Sequence, residues 1–254
     1  MTINKTDNGA RLANAILFPV VGLVLLAIAF SVALIAYTSQ SADHAALESE
    51  RQLLRGSTQL QLEILAKEQE GAAVWDLADY YTRPLSVSTQ WLDANLGHWL
   101  YANHGHDQTV IVGETGEPIY NALRGQQIDT DQSRALVSSI WPLIARTRAK
   151  FITGFRPLPS GLFVIERPLN GFTRSIHETG FALHEGELAF VSVTAISPEL
   201  KQFVANRRPP AVLVSVKKLQ GSRLFALETR SGVNGLSASP GADRPRDTAT
   251  FDLR

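Results

Sequence analysis

Trp75, Asp76, Asp79 and Tyr80 are the residues whose types and spacing come closest to chemistry. On a helix, separations of three and four put Asp76 on one side with Asp79 and Tyr80, and Trp75 beside Asp79. Paired carboxylates next to aromatic rings suit cation binding or acid/base work. The stronger reading is architectural: Trp75 packs into a core and the aspartates hydrogen-bond backbone groups of an adjoining loop, as buried polar groups usually do. Asn95 has the same two readings, an amide that holds a ligand or one that braces a neighbouring loop. These five residues are therefore assigned to ligand binding or signal transmission, and none to catalysis.

The histidines invite a metal reading. His104-Gly105-His106 would place both rings on one face if extended, with His98 close by in sequence, but no spacing matches a zinc signature such as His-Glu-x-x-His. Exposed loop histidines are expected there, and His177 and His184 are expected at the surface. No metal and no cofactor is implied. The chain has no cysteine, which removes disulfides, thiolate nucleophiles and cysteine metal sites together. Neither Gly-x-Ser-x-Gly nor Ser-x-x-Lys with its companions occurs. Gly113-Glu114-Thr115-Gly116 lacks the lysine and following helix of a phosphate loop and reads as a turn. Arg207-Arg208 and Lys217-Lys218 read as solvated strand edges. With 24 basic and 24 acidic residues there is no basic footprint for nucleic acid.

The elements that must position these residues follow from hydrophobic pattern. Ala15 to Tyr37 (AILFPVVGLVLLAIAFSVALIAY) carries no charge, and its length at about 1.5 Å per residue covers a hydrocarbon core of roughly 30 Å. A transmembrane helix is expected, too long for the apolar region of a signal peptide. Lys5 and Arg11 precede it and Asp43 is the first charge after it, so residues 1–14 are expected in the cytoplasm and the rest outside. From Ser41 to about Asn103 helical spacing dominates, with Leu47, Leu54, Leu60, Leu62, Leu65 and Leu77 recurring. Ser57 and Gln61 interrupt this seam, which suits a coiled-coil dimer and an intramolecular packing face equally. Arg83-Pro84 should end or bend the first helix, and a second should run from Val87 to Tyr101. Residues 108–120 read as a hairpin and 131–148 as a helix with Pro142 a kink. Strands are expected at 161–166, 180–184, 187–195 and 210–216. The fold class is α+β with an antiparallel sheet. Residues 221–254 look loop-rich, with Phe251 and Leu253 ready to enter a strand, and suggest the start of a truncated continuation.

Several segments together carry a family resemblance. Ala73-Val74-Trp75-Asp76-Leu77-Ala78-Asp79-Tyr80, placed after an apolar span and a juxtamembrane helix, resembles the start of the CHASE domain of the fourth type. Trp91-Leu92-Asp93-Ala94-Asn95-Leu96 is similar to that family's second helix. Val110-Ile111-Val112 with Gly116 and Ile119-Tyr120 is similar to its first hairpin, and Phe190 to Pro198 to its later strand. The similarity spans about residues 40–220. It implies an extracytoplasmic sensor with a PAS/Cache-like antiparallel sheet, joined in family members to GGDEF, EAL or histidine kinase outputs. This sequence holds none of those output motifs and no second span.

The expectation is thus a single-pass protein of the bacterial inner membrane whose periplasmic signal-input domain works as a homodimer. It would bind a small ligand or a periplasmic partner and pass a conformational change along the juxtamembrane helix, possible only through differential affinity for two states. The alternative is an anchored periplasmic hydrolase using Asp76, Asp79 and a histidine, and a third option is a structural envelope protein without a ligand pocket.

Overall fold

A computed structural model describes residues 7–165, 175–199, 203–204, 207–232, 236–240 and 249–253. It comprises two units, Met1–Gln52 and Leu53–Arg254. The first holds most of helix α1 (Asp7–Ala73). Among the described residues no helix is long and apolar enough to cross a membrane, so the crossing expected over Ala15 to Tyr37 is not confirmed. That stretch lies within α1. Its residues 21–30 are all exposed, and none is polar.

The second unit begins with the last turns of α1. Leu54, Thr58, Leu62, Leu65, Ala66, Gln69, Ala72 and Ala73 are its buried positions, and steps of three and four make them one face of a helix. Leu60 and Leu77, expected on that seam, are exposed. Helix α1 ends at Ala73, eleven residues before Pro84 and earlier than the sequence suggests. The cause is tertiary: Val74 forms a parallel bridge with Ser197, Ser197 donates its N–H to Ala73 O at 3.0 Å, and Trp75 is fully extended at φ −151°. A strand contact thus outcompetes local helix propensity.

Helix α2 (Asp76–Tyr81), α3 (Thr89–Leu92), a π-helical turn (Asp93–Gly97) and α4 (His98–His104) follow. Ser88 caps α3 by accepting from Trp91 N–H at 3.3 Å, and Gly105 ends α4 at φ 65°, a left-handed conformation that glycine takes without a Cβ penalty. The expected hairpin is β1 (Gln108–Val112) and β2 (Pro118–Leu123), extended by β3 (Gln126–Gln127). A short 3-10 turn (Thr130–Ser133) leads to α5 (Arg134–Ser139) and α6 (Trp141–Thr153). Pro142 sits in the first turn of α6, where its missing N–H costs nothing, so it separates two helices where one kinked helix was expected. Then come β4 (Phe155–Pro157), β5 (Phe163–Ile165), β6 (His177–His184), β7 (Glu187–Ala195), β8 (Phe203–Val204) and β9 (Val212–Lys218). Helix α7 (Ser222–Ser231) was not anticipated by the sequence; β10 (Leu236–Pro240) pairs with β11 (Ala249–Leu253), which contains Phe251 and Leu253.

The fold is α+β. The main sheet runs β3-β2-β1-β9-β7-β6, antiparallel throughout. Alternation along its strands sends side chains to two covered faces. Val110, Val112, Val191, Val193, Val212, Val214 and Val216 pack with Leu136 of α5, Ile140 at the turn between the helices, and Leu143 and Ile144 of α6. Ile111, Leu213, Tyr120 and Ala122 pack with Leu92, Leu96 and Leu100 and with the end of α1. A third cluster joins Leu54, Leu62 and Leu65 to Leu188, Phe190 and Leu227.

Candidate functional site

Where α1 crosses the sheet, the residues facing it change from apolar to polar. Gln69 has no exposed surface. Its Nε2 donates to Ser192 O at 3.3 Å and Leu213 O at 3.1 Å, and its Oε1 accepts from Thr194 Oγ1 at 2.8 Å. The amide thereby spans β7 and β9, with every contact directional.

One residue earlier, Glu68 gathers a second group. Its Oε2 lies 3.0 Å from His106 Nε2 and 2.6 Å from Lys217 Nζ, and His104 Nδ1 is 3.8 Å from Oε1. His106, just beyond the Gly105 cap, is 1% exposed, and its Nδ1 is 2.8 Å from Ser215 Oγ on β9. A carboxylate can only accept, so Nε2 carries the ring proton and Nδ1 accepts from the Ser215 hydroxyl. Burial pushes the His106 pKa down from 6.5 to about 4, against the opposing pull of Glu68. Burial raises the Glu68 pKa, but hydrogen bonds from His106 and Lys217 and the Lys217 charge outweigh it and leave it lowered. Burial likewise lowers that of Lys217. The next residues continue the network: Asp107 accepts from Lys218 N–H at 2.8 Å and pairs with Arg223 of α7, which also donates to Gly105 O.

The Ser215, His106, Glu68 line has the residue types of a nucleophilic triad, yet the geometry does not suit one. In the familiar arrangement the hydroxyl meets Nε2 and the carboxylate holds Nδ1; here the two are exchanged. Ser215 is wholly buried, so its hydroxyl has no path to a substrate. A metal is no better served. Lys217 already supplies the positive charge against Glu68, and no cluster of metal-ligating side chains occurs among the described residues.

The residues singled out from the sequence lie elsewhere. Trp75 is only partly buried and packs its ring 5.0 Å from Trp91, which stacks with Tyr81 at 4.8 Å. Because Trp75 is extended, only Asp76, Asp79 and Tyr80 share α2. Asp76 opens that helix, Asp79 pairs with Arg83 rather than with loop backbone, and Tyr80 is 52% exposed. Asn95 makes a local bond, donating Nδ2 to Trp91 O at 2.9 Å. The Trp75–Trp91 contact brings the two expected motifs together as packing. Several expectations of exposure are corrected: His106, His177, His184 and Lys218 are buried, and Lys217 is held by Glu68. Their burial follows from sheet positions or from capping by α1, neither visible in local sequence. Arg207 and Arg208 are exposed, with Arg208 against Glu114 at 3.4 Å.

A further contact escaped the sequence. Tyr120, 1% exposed, donates its hydroxyl to Asp93 Oδ1 at 2.8 Å across the π-helical turn. Gly97 makes room for it: a Cβ there would meet Tyr120 Oη at 1.9 Å.

The domain is thus α+β and is fastened to the end of α1 by polar contacts. The CHASE4 domain profile matches residues 59–236, and the chain belongs to that family. CHASE4 domains are extracellular sensor domains of signalling proteins, a sensory rather than catalytic class. No curated protein sequence matches the chain.

Proposed function

We propose that this chain is the membrane-anchored, periplasmic signal-input part of a bacterial signal-transduction protein. In this reading α1 is anchor and transmitter at once, a homodimer forms, and a small ligand or periplasmic protein biases the PAS/Cache-like domain between two states. The observation that carries it is the attachment of α1 to the sheet through Glu68 and Gln69, on the same helix as the apolar stretch. An uninterrupted apolar surface around a helix suits lipid, and Ser31 returns its hydroxyl to Ala27 O at 2.8 Å, as a polar group in hydrocarbon must. Output of the kind known in family members, such as cyclic di-GMP turnover or kinase activity, would lie in a partner or a further domain.

Two measurements test this. A reporter active only outside the cytoplasm, fused after Arg254, should be active; activity of a cytoplasm-only reporter there overturns the placement. The hydrolase alternative would use Asp76, Asp79 and a histidine, and of these Asp79 is already paired with Arg83. The parent should not hydrolyse chromogenic esters, and hydrolysis abolished by Asp76→Asn in a protein that melts like the parent would sink the sensor reading.

A further inference from the structure

We propose that the Glu68, His106, Ser215 and Lys217 cluster is a proton-operated latch: uptake of a proton by His106 releases the end of α1 from the sheet. This rests on the sensor reading above and names a regulator for it. The cluster joins the three parts a sensor must connect. Glu68 belongs to α1, Ser215 and Lys217 to β9, and the loop carrying His106 is tied through Gly105 O and Asp107 to Arg223 of α7. His106 therefore cannot leave its place without loosening the hold of α1 on the sheet or that of α7 on the same loop.

The charges around the ring set the direction. Glu68 from α1 attracts a proton to it, whereas Lys217 from β9 and His104 from the end of α4 repel one, and burial opposes the charged ring most. Asp107 and Arg223 face Lys217 from the neighbouring loop and α7. In the closed state Nδ1 is occupied as an acceptor of the Ser215 hydroxyl. A proton there forces that hydroxyl to turn and accept, and Ser215, fully buried, then has to find another acceptor. In an opened state the ring is hydrated and titrates near its ordinary 6.5. The sign follows: the opened state binds more protons between pH 6.5 and about 4, so acidification favours opening. From pH 7.5 to 5, a ring with those two pKa values raises the opening constant about 30-fold.

The experiment is amide hydrogen exchange of residues 64–73 on the full chain in lipid nanodiscs, corrected for the pH dependence of intrinsic exchange. Protection there should fall about 30-fold from pH 7.5 to 5 while β7 and β9 stay protected. His106→Gln keeps a donor for Glu68 but cannot be protonated, and its profile should be flat. Ser215→Ala removes the hydroxyl that favours the neutral ring and should give a shallower dependence than the parent. A parent with pH-independent protection of 64–73 overturns the latch, as does a His106→Gln protein that opens in acid as the parent does. Should His106→Gln lose sheet protection altogether, imidazole NMR of the parent decides: a folded-state His106 titrating near 6.5 overturns the proposal, and one neutral down to about pH 4 supports it. A flat profile leaves the sensor reading standing, because reporter topology and ester hydrolysis decide that separately.

Discussion

Gly97→Ala is the most demanding single perturbation of the packing between the π-helical turn and the sheet. On an ordinary helix the change would help by about 1 kcal/mol, because alanine has the better helix propensity. Here the new methyl would lie 1.9 Å from Tyr120 Oη, 2.8 Å from Cζ and 3.0 Å from the Ala122 methyl. Both neighbours are 1% exposed, so neither can swing into solvent. Overpacking of a tight core costs about 1–3 kcal/mol. Displacing the Tyr120 hydroxyl from Asp93 removes a hydrogen bond to a charged group, about 1.5–3 kcal/mol more. The net expectation is a loss of about 3 kcal/mol, a large share of a typical stability of about 5–15 kcal/mol. Urea denaturation at neutral pH reads it as a lowered midpoint with an unchanged slope. Tyr120→Phe supplies the control. It removes the nearest atom of the clash, so its combination with Gly97→Ala should be less destabilised than the sum of the two single changes. A Gly97→Ala protein with a midpoint equal to or above the parent's would refute the steric argument.

Three further outcomes are expected. Gln69→Leu should lower stability by about 1–3 kcal/mol by urea denaturation, because Thr194 Oγ1 loses its buried acceptor; a neutral result would mean that the bridge between β7 and β9 contributes little. Burial, then the hydrogen bond and charge of Asp93, raises the Tyr120 pKa, so the folded state holds its proton where an unfolded tyrosine, near 10, gives it up. Stability should then fall as pH rises past about 10, and phenolate absorbance from one tyrosine should appear only with unfolding; its appearance in the folded protein contradicts the assignment. Arg148→Met should change stability by less than about 1 kcal/mol, since the guanidinium is buried with Nε unpartnered and forms no ion pair among the described residues, and apolar replacements of buried charges are often neutral or better. A loss above 2 kcal/mol would mean that its bond to Gly113 O outweighs the desolvation.

Periodicity revealed what is local and withheld what depends on partners distant in sequence. The hairpin expected at 108–120 and strands β7 and β9 were legible because alternating β-branched residues on strands covered on both faces leave a strong apolar run, whereas the edge strand β6 was legible only in its second half, 180–184. The end of α1 was not, because a bridge to Ser197 sets it, 123 residues away from Val74 in sequence. Helix α7 was missed because only Leu224 and Leu227 of its short length face the core. At the site, the Trp-Asp motif was conspicuous by composition, yet the structure uses Trp75 for ring packing and Asp79 for an ion pair. Glu68 and Gln69 were overlooked for the opposite reason. On an otherwise amphipathic helix two adjacent polar residues look solvated, and only the sheet beneath them shows that both are engaged. The available signal was phase: Gln69 falls in step with Leu54, Thr58, Leu62, Leu65 and Ala72, on the buried face.

That phase bears on how α1 can move. Leu54, Leu62 and Leu65 meet Leu188, Phe190 and Leu227 through contacts without direction, and such contacts tolerate small shifts at little cost. Glu68 and Gln69 do not. A helix rises 1.5 Å per residue, so a slide of even one residue takes the Gln69 amide out of hydrogen-bond range of both carbonyls it now meets. A buried polar group left unpaired costs about 1–3 kcal/mol, roughly twice what a paired one contributes. Intermediate positions of α1 are therefore disfavoured at residues 68 and 69 while its apolar seam would permit them. If the proposed latch opens, the end of the helix would be either seated or released, the discrete behaviour that a two-state switch needs.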